Sequence, residues 1–404
     1  MRALHVASKP LLLIPSLVSC LWGQPATSDV SARSDRQKTV AACTDLRERF
    51  LRADTRIRQS SVVTGGTFDP GRNGNALTGL PDFCRVVGVV RPAITFEVWL
   101  PIENWNGNFN GVGGGGFAGV ISYTAMASAL KRGYAVASTD TGHVETDLAW
   151  LKDDGLLADY GHRAIHEITL SGKAVVRQVY NHGTRYSYFT GCSTGGRQGL
   201  MEAQRYPNDY DGVLAGAPVN WLVEDMLHQL WAANAALGKP ESRLPAEKLE
   251  VLASAVLNAC DSKDGVVDGL LQNPLACGFE PGQLQCEEGQ GTAACLTAAQ
   301  VETARKVYAG PSSARTGVKI SAGAALGSEL NWAPFVDGPE ASLIAQTVAL
   351  SLDPSFDVRA FDLDAVADRM NARLATLWNA TDPDLLPGAR RGMMALTFRW
   401  HAQA

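Results

Sequence analysis

The stretch Tyr186–Arg205, YSYFTGCSTGGRQGLMEAQR, decides how this chain is read. Tyr186–Thr190 has the aromatic and hydroxyl-bearing content of a strand, and Gln198–Arg205 reads as a helix that ends before Pro207. Between them lies Gly191-Cys192-Ser193-Thr194-Gly195, a G-x-S-x-G sequence in the strand–turn–helix context that a nucleophile elbow requires. Such a turn holds its serine in strained backbone geometry, and glycines two before and two after leave room for it. The hydroxyl then projects above the carboxyl end of the strand, where the start of the next helix favours negative charge. The bland alternative is a glycine-rich turn with an incidental serine. The motif alone is a common chance match; its placement makes Ser193 the expected nucleophile.

Working outward, Ile94–Leu100 (ITFEVWL) and Tyr134–Thr139 (YAVAST) read as strands, and Tyr210–Pro218 (YDGVLAGAP) as another with its exit turn. Tyr123–Lys131 reads as a helix, and Arg163–Asn181 places apolar residues 165, 168, 175, 176 and 179 near one helical face. Strands alternating with helices predict a mostly parallel α/β sheet. Beyond about residue 220 the pattern changes to helical stretches (221–236, 246–259, 298–308, 340–350 and 363–377) separated by Gly- and Cys-rich loops. That segment reads as an inserted cap or lid. Met393–Phe398 (MMALTF) resumes the strand pattern near the end, and Thr27–Lys38 reads as a polar leader.

An oxyanion hole needs two backbone N–H groups aimed at developing charge. Thr194, after the nucleophile, supplies one; the other is expected from the run Gly113–Gly116 within NFNGVGGGGFAG. A phosphate-binding loop does not fit, because no G-K-[ST] follows the glycines. A dinucleotide fingerprint lacks its spacing and its acidic residue.

Composition narrows the class. With 404 residues and 46% hydrophobic content the chain has material for two or three units and a large core. A formal charge of −5 supplies no basic field for nucleic acid. The apolar run 10–22 (PLLLIPSLVSCLW), preceded by Arg2 and Lys9, reads as a secretory signal ending near Ala26 and is too short to span a membrane. Leu17-Val18-Ser19-Cys20 also resembles a lipobox, which would leave Cys20 as a lipid anchor; secretion or a periplasmic location is the preferred reading. Export makes the other seven cysteines disulfide candidates, although six paired cysteines allow fifteen connectivities. Asp261, Asp264 and Asp268, with Gly265 and Gly269 between and beside them, suit either calcium or a solvated acidic loop.

Seven motifs in order carry a resemblance: WNGNFNGVGGGGFAG (105–119), ASTDTGH (137–143), YGHRAIHE (160–167), GCSTGGRQGL (191–200), YDGVLAGAP (210–218), CDSKDGVVDGL (260–270) and LWNATDPDL (377–385). In these the chain resembles the tannase and feruloyl esterase family of secreted α/β-hydrolases, which includes mono(hydroxyethyl) terephthalate hydrolase-like enzymes. The resemblance implies an α/β-hydrolase fold with a mainly helical, calcium-binding lid. It divides the chain into a signal peptide at 1–26, core at 27–219, lid at 220–381 and the start of a returning core strand at 382–404. It implies Ser193 as nucleophile, with the Thr194 amide and a glycine amide near Gly115 as the oxyanion hole. It implies structural Ca²⁺ held by Asp261, Asp264 and Asp268 and by the Val266 and Leu270 carbonyls. The pairing implied is Cys43–Cys84, Cys260–Cys277 and Cys286–Cys295.

Two departures matter. The family's cysteine before the nucleophile bonds to one following the catalytic histidine, and no cysteine follows Cys295, so Cys192 is expected unpaired. A hydrolase triad runs Ser, Asp or Glu, then His; after Ser193 only His228 and His401 remain, the first in a lid helix and the second four residues from the last. His143 and His166, upstream, are expected to be structural hydrogen-bonding residues. The family's acid lies in a turn where Phe398–Ala402 (FRWHA) has no aspartate. The acid and base are therefore expected to be absent, with the C-terminal part of the core missing by truncation or frameshift. The implied function is cleavage of small aromatic esters such as gallates or hydroxycinnamates, weak or absent in this chain. The alternative is a non-catalytic secreted calcium-containing binding protein.

Overall fold

A computed structural model describes residues 27–398, apart from 51, 72–73, 118, 145–147, 339–340 and 390–391. The expected signal at 1–26 with Cys20, and His401, lie outside the described residues.

Ten strands are present: β1 Thr55–Val63, β2 Thr67–Phe68, β3 Leu77–Thr78, β4 Phe83–Val90, β5 Ile94–Pro101, β6 Asn108–Val112, β7 Ala135–Thr139, β8 Tyr186–Cys192, β9 Gly212–Gly216 and β10 Met394–Phe398. Eight of them form one sheet in the order β1-β4-β5-β7-β6-β8-β9-β10, and β2 pairs with β3. The pairings from β7 through β6, β8 and β9 to β10 are parallel, whereas β1–β4, β4–β5 and β5–β7 are antiparallel. The expectation of a mostly parallel sheet thus describes only the half that carries the elbow. The antiparallel half was missed in β1 and β4. β1 (TRIRQSSVV) is a half-exposed edge strand with few apolar residues. β4 (FCRVVGVV) is interrupted by Gly88, where a Cβ would lie 2.4 Å from the Phe96 ring.

Alternation along the strands sends side chains to two cores. Val86, Phe96, Val98, Ala135 and Ala137 pack beneath the helix Ala164–Tyr180, through Ile165, Ile168, Val175 and Val176. Phe83, Trp99 and Val136 meet Met126, Ala129 and Leu130 of the helix Tyr123–Lys131 on the other face. Thr27–Arg49, expected in part as a polar leader, is helical, and its Cys43 and Leu46 are buried in the first core. The disulfide Cys43–Cys84 fixes it to β4. Tertiary attachment, not amphipathic pattern, holds this polar helix.

The region after β9 is helical, as its periodicity predicts: Leu222–Leu237, Ala246–Cys260, Ala298–Ala309, Leu343–Leu352 and Leu363–Met370. Its apolar faces form two further cores, one of which also takes in Trp150, Leu157 and Tyr160 from the segment before the helix Ala164–Tyr180. β10 then returns to the sheet beside β9, with Met394 opposite Gly212 and Phe398 opposite Gly216. Among the described residues no helix is long and apolar enough to cross a membrane.

Cys43–Cys84 closes a loop of 41 residues, and removing such a link costs about 4 kcal/mol in the chain-entropy account. A Cys43→Ala/Cys84→Ala variant is therefore expected to unfold at distinctly lower urea concentration. A midpoint equal to that of the parent would show that the helix is held by packing alone.

Candidate active site

β8 ends at Cys192, and the helix Thr194–Arg205 begins one residue after Ser193. Ser193 has φ 58° and ψ −121°, a conformation that non-glycine residues rarely adopt and that costs about 1–3 kcal/mol. The neighbours enforce it. A Cβ on Gly191 would lie 2.4 Å from the Gly195 carbonyl group, and one on Gly196 would lie 2.3 Å from the Gly216 oxygen. One on Gly195 would lie 2.9 Å from the Gly114 oxygen, and one on Gly113 would lie 2.6 Å from Gly195 Cα. The Ser193 amide donates to Gly216 O at 3.0 Å, tying the turn to β9. Ser193 itself is exposed, and Thr194 is buried at the first position of the helix.

The glycine run follows β6. Gly113 N donates to Thr190 O at 3.0 Å, and Gly114 N donates to Gln198 Oε1 at 3.0 Å. The loop is thus latched to both the strand and the helix of the elbow. Thr194 Oγ1 donates to Gly116 O at 2.7 Å, which sets the first turn of the helix against the expected oxyanion loop around Gly115.

Five histidines lie among the described residues. His143, buried, donates from Nε2 to Phe117 O at 2.8 Å and stacks on Trp150. His162 Nδ1 lies 2.7 Å from the Tyr206 hydroxyl, and burial, with help from Arg205, Arg197 and Arg163, pulls its pKa down to about 4. His182 contacts Gly183 O, and His228 stands in the helix Leu222–Leu237 with Nδ1 buried and unpartnered, burial lowering its pKa. His166 Nδ1 lies 2.6 Å from Asp209 Oδ2 and stacks on Tyr206.

His166 and Asp209 have the look of a base and its orienting acid, but they stand at the wrong end of the helix. Glu202, their neighbour, is nine residues beyond Ser193 (202−193), about 13 Å of helical rise. Among the described residues, these three form the one set of at least three metal-ligating side chains whose donor atoms all lie within 4.8 Å of one another. Burial and the adjacent Asp209 push the Glu202 carboxyl well above its ordinary pKa. The Lys173 ammonium donates to the Asp209 carbonyl and supplies the local positive charge. Through His166 and Lys173 the cluster fastens the helix Ala164–Tyr180 to the loop that leads into β9, while neither carboxyl oxygen of Glu202 has a hydrogen-bond partner.

The aspartate loop lies between the helix Ala246–Cys260 and the disulfide Cys260–Cys277. Gly265 (φ 94°) and Gly269 (φ 79°) take left-handed conformations that turn it sharply. The Asp261 carboxylate, buried, accepts the amides of Asp268 and Gly269 at 3.1–3.4 Å. Asp264 accepts from Val266 N at 3.0 Å, and Asp268 accepts from Leu270 N at 3.0 Å. Three carboxylates on one tight loop are hard oxygen donors of the kind calcium takes, although here they accept loop amides and, among the described residues, are not gathered within 4.8 Å of one another. The remaining disulfide is Cys286–Cys295, and Cys192 is free and exposed beside Ser193.

A mixed sheet whose parallel half carries a strained serine between strand and helix, opposite a glycine loop, is the architecture of an α/β-hydrolase. The sequence model of the family described as tannase and feruloyl esterase matches residues 77–402, and this chain belongs to that family. It is similar to an uncharacterised esterase of Xanthomonas campestris pv. campestris, 36% identical over 388 residues, covering 89% of this chain and 67% of the relative. It is also similar to a probable feruloyl esterase B-2 of Aspergillus flavus, 33% identical and covering 94% of this chain and 71% of that one. Among solved structures, an esterase and a feruloyl esterase B, both from Aspergillus oryzae, superpose with TM-score 0.80 at 28% and 26% identity. Each covers 89% of this chain and 74% of its own.

Missing from the sequence reading were Gln198 and the Thr194 hydroxyl as loop-holding groups, and Tyr160, whose hydroxyl donates to Gly116 O at 3.1 Å. Tyr160 opens the motif YGHRAIHE, and that was its only signal.

His162 gives a prediction with a definite sign. Its pKa is about 4 in the fold against 6.5 in the unfolded chain, so the unfolded state binds more protons between those values. Stability is therefore complete above pH 6.5 and declines as pH falls towards 4. His162→Gln is expected to make that decline shallower in urea unfolding at pH 7 and pH 4.5; an unchanged decline would contradict the assignment.

Proposed function

We propose that this chain is a serine carboxylic ester hydrolase acting on aromatic esters of the gallate or hydroxycinnamate kind. The observation that carries the reading is the strained Ser193 at φ 58°, forced by glycine contacts and set against the glycine loop. In the proposed reaction Ser193 Oγ attacks the ester carbonyl carbon, and its proton passes to a base. The carbonyl oxygen becomes an oxyanion held by the Thr194 and Gly115 amides. Collapse expels the alcohol, which takes up a proton, and leaves an acyl-serine; water then adds, and the carboxylic acid departs with Ser193 restored. Beside the elbow, Ala217, Pro218, Val219 and Trp221 line one part of a cavity of about 420 Å³ whose other lining is polar (Asn220, Glu224, Asp225 and Ser321), and half of Trp221 is open to solvent. Such a wall suits an aromatic group. The relatives named as feruloyl esterases point to the same substrate class.

A non-catalytic binding role is favoured by one observation: the hydrogen bonds seen for His143, His162, His166 and His182 go to Phe117, Tyr206, Asp209 and Gly183 rather than to Ser193. The two readings separate by chemical rescue. A serine without its base retains oxyanion and binding effects only, a loss of about 10⁴–10⁶-fold. Hydrolysis of a hydroxycinnamate methyl ester by the 404-residue chain is therefore expected to be slow and to rise with added imidazole. Ser193→Ala should remove that rise. Identical rates in parent and Ser193→Ala at every imidazole concentration would leave the binding-protein reading.

The aspartate loop is proposed to hold structural Ca²⁺ through Asp261, Asp264 and Asp268 and the Val266 and Leu270 carbonyls. Three disulfides support an oxidising, extracytoplasmic location. Ion binding to the folded state alone stabilises it by mass action. Asp264→Ala/Asp268→Ala is expected to abolish calcium binding in calorimetry and to remove the calcium-dependent rise in Tm; full affinity in the double variant would disprove the ligand set.

A further inference from the structure

We propose that His143, Tyr160 and the Thr194 hydroxyl are positioning residues that fix the oxyanion loop, and that Trp378 of the helical region braces two of them. The inference rests on the esterase reading of Ser193 and adds to it the groups that make four consecutive glycines usable. Such a run has more backbone freedom than any other sequence, whereas amides stabilise an oxyanion only if they are aimed before charge develops.

The aiming is done from the carbonyl side. Gly113 O accepts from Ser122 Oγ at 2.8 Å. Gly116 O accepts from both Thr194 Oγ1, at 2.7 Å, and the Tyr160 hydroxyl, at 3.1 Å. Phe117 O accepts from His143 Nε2 at 2.8 Å. A carbonyl only accepts, so His143 carries its proton on Nε2, and the Thr141 hydroxyl, 3.5 Å from Nδ1, faces the acceptor nitrogen. Because a peptide is planar, pinning a carbonyl also fixes the N–H of the following residue. The Gly114–Gly115 peptide, which carries the proposed donor, directly follows the pinned Gly113–Gly114 peptide and is separated by one peptide from the pinned Gly116–Phe117 peptide.

The clamp is braced by rings. His143 stacks on Trp150 at 4.2 Å between centroids, and Trp150 packs on Tyr160 at 5.1 Å. Tyr160 packs edge-on against the buried Trp378, also at 5.1 Å. Trp378 is itself held, its Nε1 donating to Leu157 O at 3.1 Å and its carbonyl accepting from Arg197 at 3.2 Å. The seating of the helical region is thereby linked to the geometry of the catalytic amides.

Hydrogen exchange of residues 113–119, read by mass spectrometry on the whole chain, tests this without relying on turnover. His143→Phe keeps a ring on Trp150 and deletes the donor; Tyr160→Phe deletes the second. Each is expected to speed exchange in the loop by roughly 10-fold while the helix Ala164–Tyr180 stays protected. His143→Gln, which retains an N–H near the Nε2 position, should restore slow exchange. In imidazole-assisted hydrolysis the two Phe variants should lose kcat by roughly 10²-fold with KM near that of the parent. Parent-like exchange in both Phe variants overturns the proposal. A loosened loop together with no Ser193-dependent hydrolysis in the parent supports the clamp and removes the esterase reading. Ser193-dependent hydrolysis with an unchanged loop does the reverse.

Discussion

Backbone-to-backbone contact at the elbow is the constraint on which the rest depends. Strand β8, the first turn of the helix Thr194–Arg205, the glycine loop and the end of β9 meet where no side chain fits. Gly191 faces Gly195, Gly195 faces Gly113 and Gly114, and Gly196 faces Gly216. Closeness of this kind gives Ser193 its positive φ and leaves its side chain exposed above the sheet. It also sets the Thr194 amide next to the loop that follows β6. The energy for a strained serine comes from the sheet and helices on either side, whose cores are large and continuous.

The second theme is burial of charge without counter-charge. Arg197, one turn into the elbow helix, is fully buried and donates to the carbonyls of Gly161, Tyr160 and Trp378. Burial lowers its pKa from the ordinary value, and its guanidinium also lies over the Tyr160 ring at 4.9 Å. A planar five-donor group is suited to gathering carbonyls from separate segments. Here it joins the elbow helix to the π-helical turn Asp159–Arg163 and to the end of the helical region. At the far end of the same helix, both carboxyl oxygens of buried Glu202 are without a hydrogen-bond partner, and burial raises its pKa well above the ordinary value.

What the sequence could convey follows from how local each signal is. Ser193 and its strand–turn–helix setting are encoded within twenty residues, and the helices after residue 220 announce themselves by leucine and alanine periodicity, as in Leu222–Leu237. β10 was legible as MMALTF. The helix Thr27–Arg49 was only partly so, because its stability comes from Cys43 and Leu46 docking on distant strands. The antiparallel half of the sheet was hidden by the polar residues of β1 and by Gly88. Tyr160 and His143 lie 33 and 50 residues before Ser193 (193−160, 193−143), and only tertiary structure shows that they reach the adjacent carbonyls of Gly116 and Phe117. His143 and His166, expected as structural hydrogen-bonding residues, make such bonds to Phe117 and Asp209.

The most direct test of the central constraint is the unfolding free energy of Gly196→Ala. A single methyl group at that position meets the Gly216 carbonyl oxygen at 2.3 Å, backbone against backbone, with no flexible side chain to move aside. If the elbow contact governs the structure, equilibrium urea unfolding should show a loss above about 3 kcal/mol, the range of overpacking combined with a displaced backbone. A variant within about 0.5 kcal/mol of the parent, the ordinary range of a harmless substitution, would contradict it.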